Sequence, residues 1–191
     1  FFILLGVVLF GWNHILDLRG EEPRRAVVAI EMVLSGEYLA PKIHGWYYYN
    51  KPPVFNWVLA GFMHLLGSFE EWVVRIPSII SFLITGWALF NFSKAFLGSE
   101  TALLSAMLFY TTSDLLYFGT IYSGEIDLFF GSISVIQIGA IFYGLEKRNY
   151  WIVFELSYLF ASIGTLTKGP PSIAFQVLTL VPYLLYKKQW K

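Results

Sequence analysis

The sequence predicts an all-α polytopic membrane protein with about six transmembrane helices. Composition is the first reason: of 191 residues, 57% are hydrophobic, 19% are aromatic and only 14% are charged. The second is that several apolar runs approach the roughly 20 residues that a helix needs to cross a bilayer. The third is that the charged residues collect in short, proline-containing stretches between these runs, because a charge at mid-bilayer depth is costly.

The apolar runs give the number and position of the predicted spans. The candidates are Phe1–Leu16, Trp72–Phe96, Thr101–Tyr122, Leu128–Leu145, Trp151–Leu166 and Ser172–Tyr186. The chain begins inside the first run and ends at Trp190-Lys191, just after the last one, so we expect a piece of a longer protein or its ordered part. The run Val54–Leu66 has only 13 residues. We expect it to lie in the membrane interface without spanning, because about 17 residues are a practical minimum.

Loop charge predicts which loops share a side of the membrane. If Val54–Leu66 does not span, one side receives a basic excess and is therefore cytoplasmic. The basic groups on that side are Lys94, Lys147, Arg148, Lys187 and Lys188. The opposite, external side receives the loops that contain Glu21, Lys51, Asp127 and Lys168. These four charged groups are then available to a single site.

The first external loop is predicted to contain two interfacial juxtamembrane helices. Pro23 suits the first turn of a helix that runs to about Ser35, with Gly36 as its stop. One apolar stripe marks the membrane face of this helix: Ala26, Val27, Ile30, Val33 and Leu34. After an extended aromatic segment, residues 41–50, Pro52-Pro53 opens the second helix.

Charge and proline occur together in the stretches that separate the runs. Three are Glu21-Glu22-Pro23-Arg24-Arg25, Asn50-Lys51-Pro52-Pro53 and Thr167-Lys168-Gly169-Pro170-Pro171, and a fourth acidic stretch is Glu125-Ile126-Asp127. Carboxylates beside arginine and lysine at the outer face suit a lipid-phosphate sugar donor. The cations would hold the phosphate leaving group, and a carboxylate would deprotonate an acceptor hydroxyl or amine. The chain has no glycine-rich nucleotide-binding loop, which favours a donor other than a nucleotide sugar.

The acidic residues also have structural interpretations, which the sequence leaves open. Glu21 and Glu22 could simply interact with the dipole at a helix N-terminus. Asp127 could simply cap a helix that begins at Leu128.

The cations are equally ambiguous when each is taken alone. Arg24 and Arg25 could bind lipid phosphates at the membrane surface. Lys51 and Arg75 could extend their charged ends to the headgroups, and Lys168 could cap the C-terminus of the preceding span.

The net charge and the residues that could bind a metal limit the cofactors and partners that the chain can have. The formal net charge is +0, which argues against a nucleic-acid partner, and the absence of cysteine excludes disulfides and thiolate metal sites. His14, His44 and His64 lack metal-ligand spacing. No cofactor is predicted, and participation of a divalent metal is left open. The expected partners are a polyprenyl-phosphate-linked sugar, membrane lipids and protein subunits.

Several motifs in order resemble a known family over essentially the whole chain. They are Glu21-Glu22-Pro23-Arg24-Arg25-Ala26, Ile30-Glu31-Met32, Lys51-Pro52-Pro53, Arg75-Ile76-Pro77-Ser78 and Leu166-Thr167-Lys168-Gly169-Pro170. These strings are similar to the N-terminal half of bacterial GT-C glycosyltransferases. The most similar groups are the lipid A aminoarabinose transferases and the dolichyl-phosphate-mannose-protein mannosyltransferase-like proteins.

The resemblance implies roles for particular residues. The implied catalytic residues are Glu21, in the place of an acid that is usually aspartate, and Asp127, the acid of a second loop. The implied substrate-binding residues are Glu22, Arg24, Lys51 and Lys168, with Lys51 at the lipid phosphate. Glu21 departs from the family pattern by one methylene, and catalysis is sensitive to displacements near 1 Å.

We therefore expect residues 1–191, with external loop 17–71, to be the N-terminal transmembrane part of a GT-C-like domain without its C-terminal remainder. The expected function is transfer of a sugar from a polyprenyl phosphate to a lipid, protein or glycan acceptor. The expected location is the bacterial inner membrane, with the site facing the periplasm. A noncatalytic GT-C-like subunit that binds a lipid or partner protein is the main alternative, and a transporter with broken helices is the third.

Overall fold

The computed structural model describes residues 2–11, 17–117 and 121–187. Its elements in chain order are α1 (Phe2–Gly11), α2 (Glu22–Ser35), β1 (Lys42–Ile43), β2 (Trp46–Tyr47), α3 (Val54–Leu66), α4 (Glu71–Leu97), α5 (Ser99–Tyr110), α6 (Ser113–Tyr117), α7 (Ile126–Glu146), a π-helical turn (Ile152–Leu156), α8 (Ser157–Lys168) and α9 (Pro171–Tyr186). The chain is thus predominantly helical, as predicted from its composition.

The two helices within residues 17–71 follow the predicted proline and glycine signals. Pro23 lies in the first turn of α2, and Gly36 ends the helix in the left-handed conformation, with φ of 72°. Gly67 ends α3 in the same way, with φ of 61°. At 13 residues, α3 is about 20 Å long, shorter than the hydrocarbon core of about 30 Å. Its interfacial position stays a prediction.

The amphipathic pattern of α2 differs from the prediction of one apolar stripe. Leu34, on the predicted stripe, is 72% exposed. A second apolar face, made of Ala26, Val28, Ala29 and Met32, is buried in one core cluster with residues of α3 and α4. The sequence pattern alone did not separate these faces, because valine and alanine occur all around the helix.

The segment predicted to be extended forms a small antiparallel hairpin. Lys42 pairs with Tyr47, and Ile43 pairs with Trp46. The two turn residues, His44 and Gly45, both have positive φ, as a two-residue hairpin turn requires. The Glu31 carboxylate on α2 accepts hydrogen bonds from the backbone N–H of both turn residues. The prediction of an all-α chain therefore needs a correction at this hairpin.

Among the described residues, two helices are long and apolar enough to cross a membrane: α4, with 27 residues, and α7, with 21 residues. They correspond to the predicted spans Trp72–Phe96 and Leu128–Leu145. The run Thr101–Tyr122, predicted as one span, is not one continuous helix, because it forms α5 and α6 with a break at Thr111-Thr112. Threonine side chains compete for backbone hydrogen bonds, which weakens a helix there. Residues 118–120 lie outside the described residues.

The remaining predicted spans are covered in part. Helix α1 accounts for the described residues of Phe1–Leu16, and residues 1 and 12–16 lie outside the described part. The run Trp151–Leu166 forms the π-helical turn and α8, and α9 has 16 residues and opens at Pro171. A total of about six spans stays a prediction.

The chain divides into two compact units. The first contains Phe1–Leu83 and Tyr110–Phe129, and the second contains Ile84–Phe109 and Phe130–Lys191. The first unit holds the external loop with α2 and α3, and the second holds α8 and α9.

A buried hydrogen-bond network joins α7, α8 and α9 in the second unit. Gln137 Nε2 donates to the Ser172 carbonyl oxygen at 3.0 Å and to Gln176 Oε1 at 2.8 Å. Gln176 Nε2 donates to Ser157 Oγ at 2.8 Å. Gly164 allows the close approach of α8 and α9, since a Cβ there would lie 2.4 Å from Ser172 Oγ. In lipid these polar contacts replace the hydrophobic driving force between helices.

We expect Gln137→Leu to lower the thermal unfolding temperature of the complete protein in detergent. The substitution leaves the Gln176 Oε1 and Ser172 acceptors buried without this donor, which costs about 1–3 kcal/mol. Ser162→Ala is the control, because among the described residues the exposed Ser162 hydroxyl donates only to the Tyr158 carbonyl oxygen of its own helix. An unfolding temperature of Gln137→Leu equal to that of the control would contradict this role for the network.

Candidate active site

Glu21 and Arg24 form an accessible ion pair at the beginning of α2. Arg24 Nη1 donates to both carboxylate oxygens of Glu21, at 2.8 and 2.6 Å. Their side chains are 47% and 45% exposed, respectively. The Tyr48 hydroxyl and then the Glu21 carboxylate raise the pKa of Arg24 above its ordinary value. Because an exposed pair of this kind stabilises a protein little, its two charges remain available for other partners.

Glu22, one residue later, has the opposite environment. Its carboxylate is 1% exposed and accepts hydrogen bonds from the backbone N–H of Arg19 at 2.7 Å, from Arg75 Nε at 3.1 Å and from the Gly124 N–H. Arg75 is fully buried and also donates to the Asp17 carbonyl oxygen at 3.0 Å. The expectation that Arg75 extends to lipid headgroups is therefore wrong. Its counter-charge is supplied by Glu22, 53 residues earlier.

The Glu22 carboxylate accepts hydrogen bonds from three chain segments near Glu21. Through Arg19 it holds the end of the preceding loop, through Arg75 it holds α4, and through Gly124 it holds the loop before α7. A carboxylate with protein donors on both oxygens is well suited to fix a backbone position. The predicted contact of Glu22 with substrate stays a prediction.

The loop before α7 is docked tightly on α4. Ser78 Oγ donates to the Ser123 carbonyl oxygen at 2.6 Å and to the Glu125 carbonyl oxygen at 3.4 Å. At Gly124 a Cβ would lie 2.9 Å from the Val74 carbonyl oxygen, so only glycine fits there. These contacts fix the backbone from which the Glu125 side chain extends.

Glu125 is a residue of this region that sequence reasoning missed. Its Oε1 accepts a hydrogen bond from the Glu21 N–H at 3.4 Å. A Cβ at Gly20 would lie 2.8 Å from the same oxygen. The sequence offered one indication, the acidic pair Glu125 and Asp127, but the choice between the two acids required the tertiary structure.

The other predicted site residues are placed as follows. Lys51 is partly buried in the link before α3, and among the described residues it forms no ion pair or hydrogen bond. Asp127 is exposed in the first turn of α7. Both lie in the first unit with Glu21, Glu22 and Arg24. Lys168 ends α8 in the second unit, with its Nζ 5.4 Å from the ring centroid of Phe130.

Arg25 is not at the surface, contrary to the expectation that it binds lipid phosphates there. Its side chain is 3% exposed, and its Nε and Nη1 have no hydrogen-bond partner among the described residues. Asn56 on α3 is 1% exposed, and its amide atoms are also without partners there. The buried face of α2 thus carries Arg25. The same face carries Glu22, which is paired with Arg75.

No group of three His, Asp or Glu side chains converges as a metal site within residues 2–11, 17–117 and 121–187. Glu21 is an accessible carboxylate that lies beside the Arg24 cation and next in sequence to the buried Glu22–Arg75 pair.

Several known proteins to which the chain is similar carry the same name. The chain is 25% identical over 196 aligned positions to the undecaprenyl phosphate-alpha-4-amino-4-deoxy-L-arabinose arabinosyl transferase of Edwardsiella ictaluri, covering 96% of this chain and 35% of that protein. It is 26% identical to the enzyme of the same name from Shewanella sediminis, covering 99% and 34%. The chain thus spans about a third of the length of these relatives.

Solved structures show the fold. The chain superimposes on ArnT from Cupriavidus metallidurans in the apo state with a TM-score of 0.86 and 21% identity, covering 99% of this chain and 36% of that one. The same protein bound to undecaprenyl phosphate gives a TM-score of 0.81 with 22% identity, covering 99% and 35%. These likenesses show that the chain shares the fold of this part of ArnT.

A family model described as dolichyl-phosphate-mannose-protein mannosyltransferase matches residues 50–191. The matched residues include the Lys51-Pro52-Pro53 motif, the Arg75 motif and the Lys168 motif. The match covers most of the chain, which therefore belongs to the dolichyl-phosphate-mannose-protein mannosyltransferase family.

Proposed function

We propose that the complete protein containing this chain is a membrane glycosyltransferase that transfers a sugar from a polyprenyl-phosphate donor. The observation that carries the proposal is the accessible Glu21–Arg24 pair, fixed beside the buried Glu22–Arg75 pair. The names of the relatives, and the binding of undecaprenyl phosphate by one structural neighbour, support this donor class. The acceptor is a lipid, a protein or another glycan.

Glu21 acts as the general base in this proposal. Its carboxylate takes the proton from the acceptor hydroxyl or amine as that group attacks C1 of the sugar. The bond between C1 and the phosphate oxygen breaks, the new glycosidic bond forms with inversion, and the polyprenyl phosphate leaves with the bonding electrons. Asp127 orients the acceptor or influences Glu21. Glu22 supports this arrangement by fixing the backbone on both sides of Glu21, and its assignment to substrate binding is proposed only in this indirect sense.

The cations stabilise the leaving phosphate. Arg24 uses Nη1 for Glu21, and its guanidinium has further N–H groups that can donate to a phosphate oxygen. Lys51, which has no acidic partner among the described residues, supplies a second positive charge. We assign Lys168 to donor binding as well, on the basis of its family motif.

The proposed location is the bacterial inner membrane, with Glu21, Lys51, Asp127 and Lys168 facing the periplasm. The loop charge bias and the apolar helices support it. Residues 1–191 then form the N-terminal transmembrane part of a GT-C domain, and the rest of the protein contributes further spans. Protein partners remain part of the proposal as additional subunits.

We expect Lys51→Ala to weaken binding of undecaprenyl phosphate to the complete protein by roughly 10- to 100-fold, the value of a lost hydrogen bond to a charged group. The measurement is titration of the purified protein in detergent with undecaprenyl phosphate. Lys42→Ala is the matched control, since Lys42 lies in the same loop but over the Tyr47 ring, 5.3 Å from its centroid. Equal affinities of the two variants would remove Lys51 from the donor site.

A further inference from the structure

The side chain of Glu125 contacts the backbone of Glu21, the candidate base. The Glu21 N–H donates to Glu125 Oε1 at 3.4 Å, and Gly20 leaves the space that this oxygen occupies. Gly20 has a φ of 56°, so the turn before α2 needs a glycine for its backbone as well as for the contact. The acid and the base are 104 residues apart in sequence. Their approach is therefore a property of the tertiary fold.

The carboxylate of Glu125 is held in place by its own segment. Its carbonyl oxygen accepts from Ser78 Oγ, and the preceding Gly124 N–H donates to the buried carboxylate of Glu22. Glu22 is in turn fixed by Arg75. The Glu125 side chain is thus carried by a segment docked on α4, which limits its freedom to leave Glu21.

The Glu125 carboxylate is one of several charged groups on the segments that meet near Glu21. Charged or titratable groups on the segments that meet there are Asp17, Arg19, Glu22, Arg24, Arg25, Tyr48, Arg75 and Asp127. Glu22 is paired with Arg75, and Arg24 is paired with Glu21. Glu125 has no cation within ion-pair distance among the described residues, so its negative charge is not cancelled locally.

We propose that Glu125 is a positioning residue of the transferase site, which acts through Glu21 and makes no contact with the reacting atoms. It has two effects. As an acceptor for the Glu21 N–H, it holds the residue at the start of α2. As a carboxylate that contacts the Glu21 backbone, it also adds negative charge beside the residue that takes up the acceptor's proton. The inference rests on the proposed function, because it concerns the same base.

The first effect concerns geometry, and Glu125→Asp tests it. This variant keeps the charge but shortens the side chain by one methylene, which lengthens a contact that is already 3.4 Å. We expect a reduced kcat with an unchanged acid limb of the pH profile, because Glu21 is less well placed while the local charge is preserved.

The second effect concerns charge, and Glu125→Gln tests it. This variant keeps the size and an acceptor oxygen but removes the charge. We expect the acid limb of the kcat/KM profile to differ from that of the native protein, because a negative charge beside Glu21 has been removed. A purely structural role would lower activity at every pH and leave the limb where it is.

The experiment is a pH profile of sugar transfer by the complete native protein, by Glu125→Gln, by Glu125→Asp and by the control Glu37→Gln. Glu37 is an exposed acid of the same predicted external loop, and within the described part of the chain its carboxylate accepts a hydrogen bond from the Leu39 N–H alone. Glu37→Gln should match the native profile. If Glu125→Gln has the native acid limb while the native protein transfers sugar, the inference is overturned and the proposed function stands. If the native protein transfers no sugar, both are overturned.

Discussion

Glu21→Gln in the complete protein should lower the rate of sugar transfer by about 10²- to 10⁴-fold, the contribution of a general base. Glutamine has the size of glutamate but cannot accept the acceptor's proton. Binding of undecaprenyl phosphate should be largely unchanged, because Arg24 and Lys51 still provide the positive charges. Turnover with a labelled polyprenyl-phosphate sugar and titration with undecaprenyl phosphate measure the two effects separately.

Two further variants make this result specific. Glu21→Asp should retain some activity, because a carboxylate that can accept the proton remains at this position. Glu37→Gln removes an exposed carboxylate of the same loop and should leave turnover unchanged. Native turnover in Glu21→Gln would show that another group accepts the proton.

Arg75→Met should be the most destabilising substitution in the first unit. It leaves the Glu22 carboxylate buried without its counter-ion, and breaking a buried ion pair in this way costs about 3–5 kcal/mol. We expect a large fall in the thermal unfolding temperature of the complete protein in detergent. Arg19→Met is the control, because only the backbone N–H of Arg19 contacts Glu22 and its side chain is exposed.

The double variant Glu22→Gln/Arg75→Met separates loss of the pair from loss of packing. It contains no buried charge at this place, so it should unfold at a higher temperature than Arg75→Met alone. Strictly additive losses in the two single variants would mean that the buried pair is not energetically coupled.

Prolines and glycines at helix ends explain which parts of the fold could be predicted from the sequence. The end of α2 near Ser35 and the bounds of α3 were predicted correctly, because Pro23, Gly36 and Gly67 act on the backbone beside them. The hairpin at residues 42–47 was predicted only as extended, because its stability depends on Glu31, which lies on the preceding helix. The run Thr101–Tyr122 misled the prediction, because its apolar character hides a break at two threonines.

A contact of the candidate site could be predicted where one short motif contains both charged residues. Glu21 and Arg24 are three residues apart and form the ion pair in the first turn of α2. Glu22 and Arg75 are 53 residues apart, and neither periodicity nor composition reports a pairing of that separation. The sequence therefore predicted an exposed arginine where the structure has a buried one, and it offered no way to place Glu125 against Glu21.

The most direct measurement is a transfer assay with the complete protein in liposomes, supplied with a labelled undecaprenyl-phosphate sugar and membrane acceptors. Our account predicts that label moves to an acceptor with inversion at C1, that free undecaprenyl phosphate is released in equal amount, and that Glu21→Gln abolishes both. Tight binding of undecaprenyl phosphate without any transfer, from a panel of polyprenyl-phosphate sugars, would contradict it and indicate a noncatalytic lipid-binding subunit.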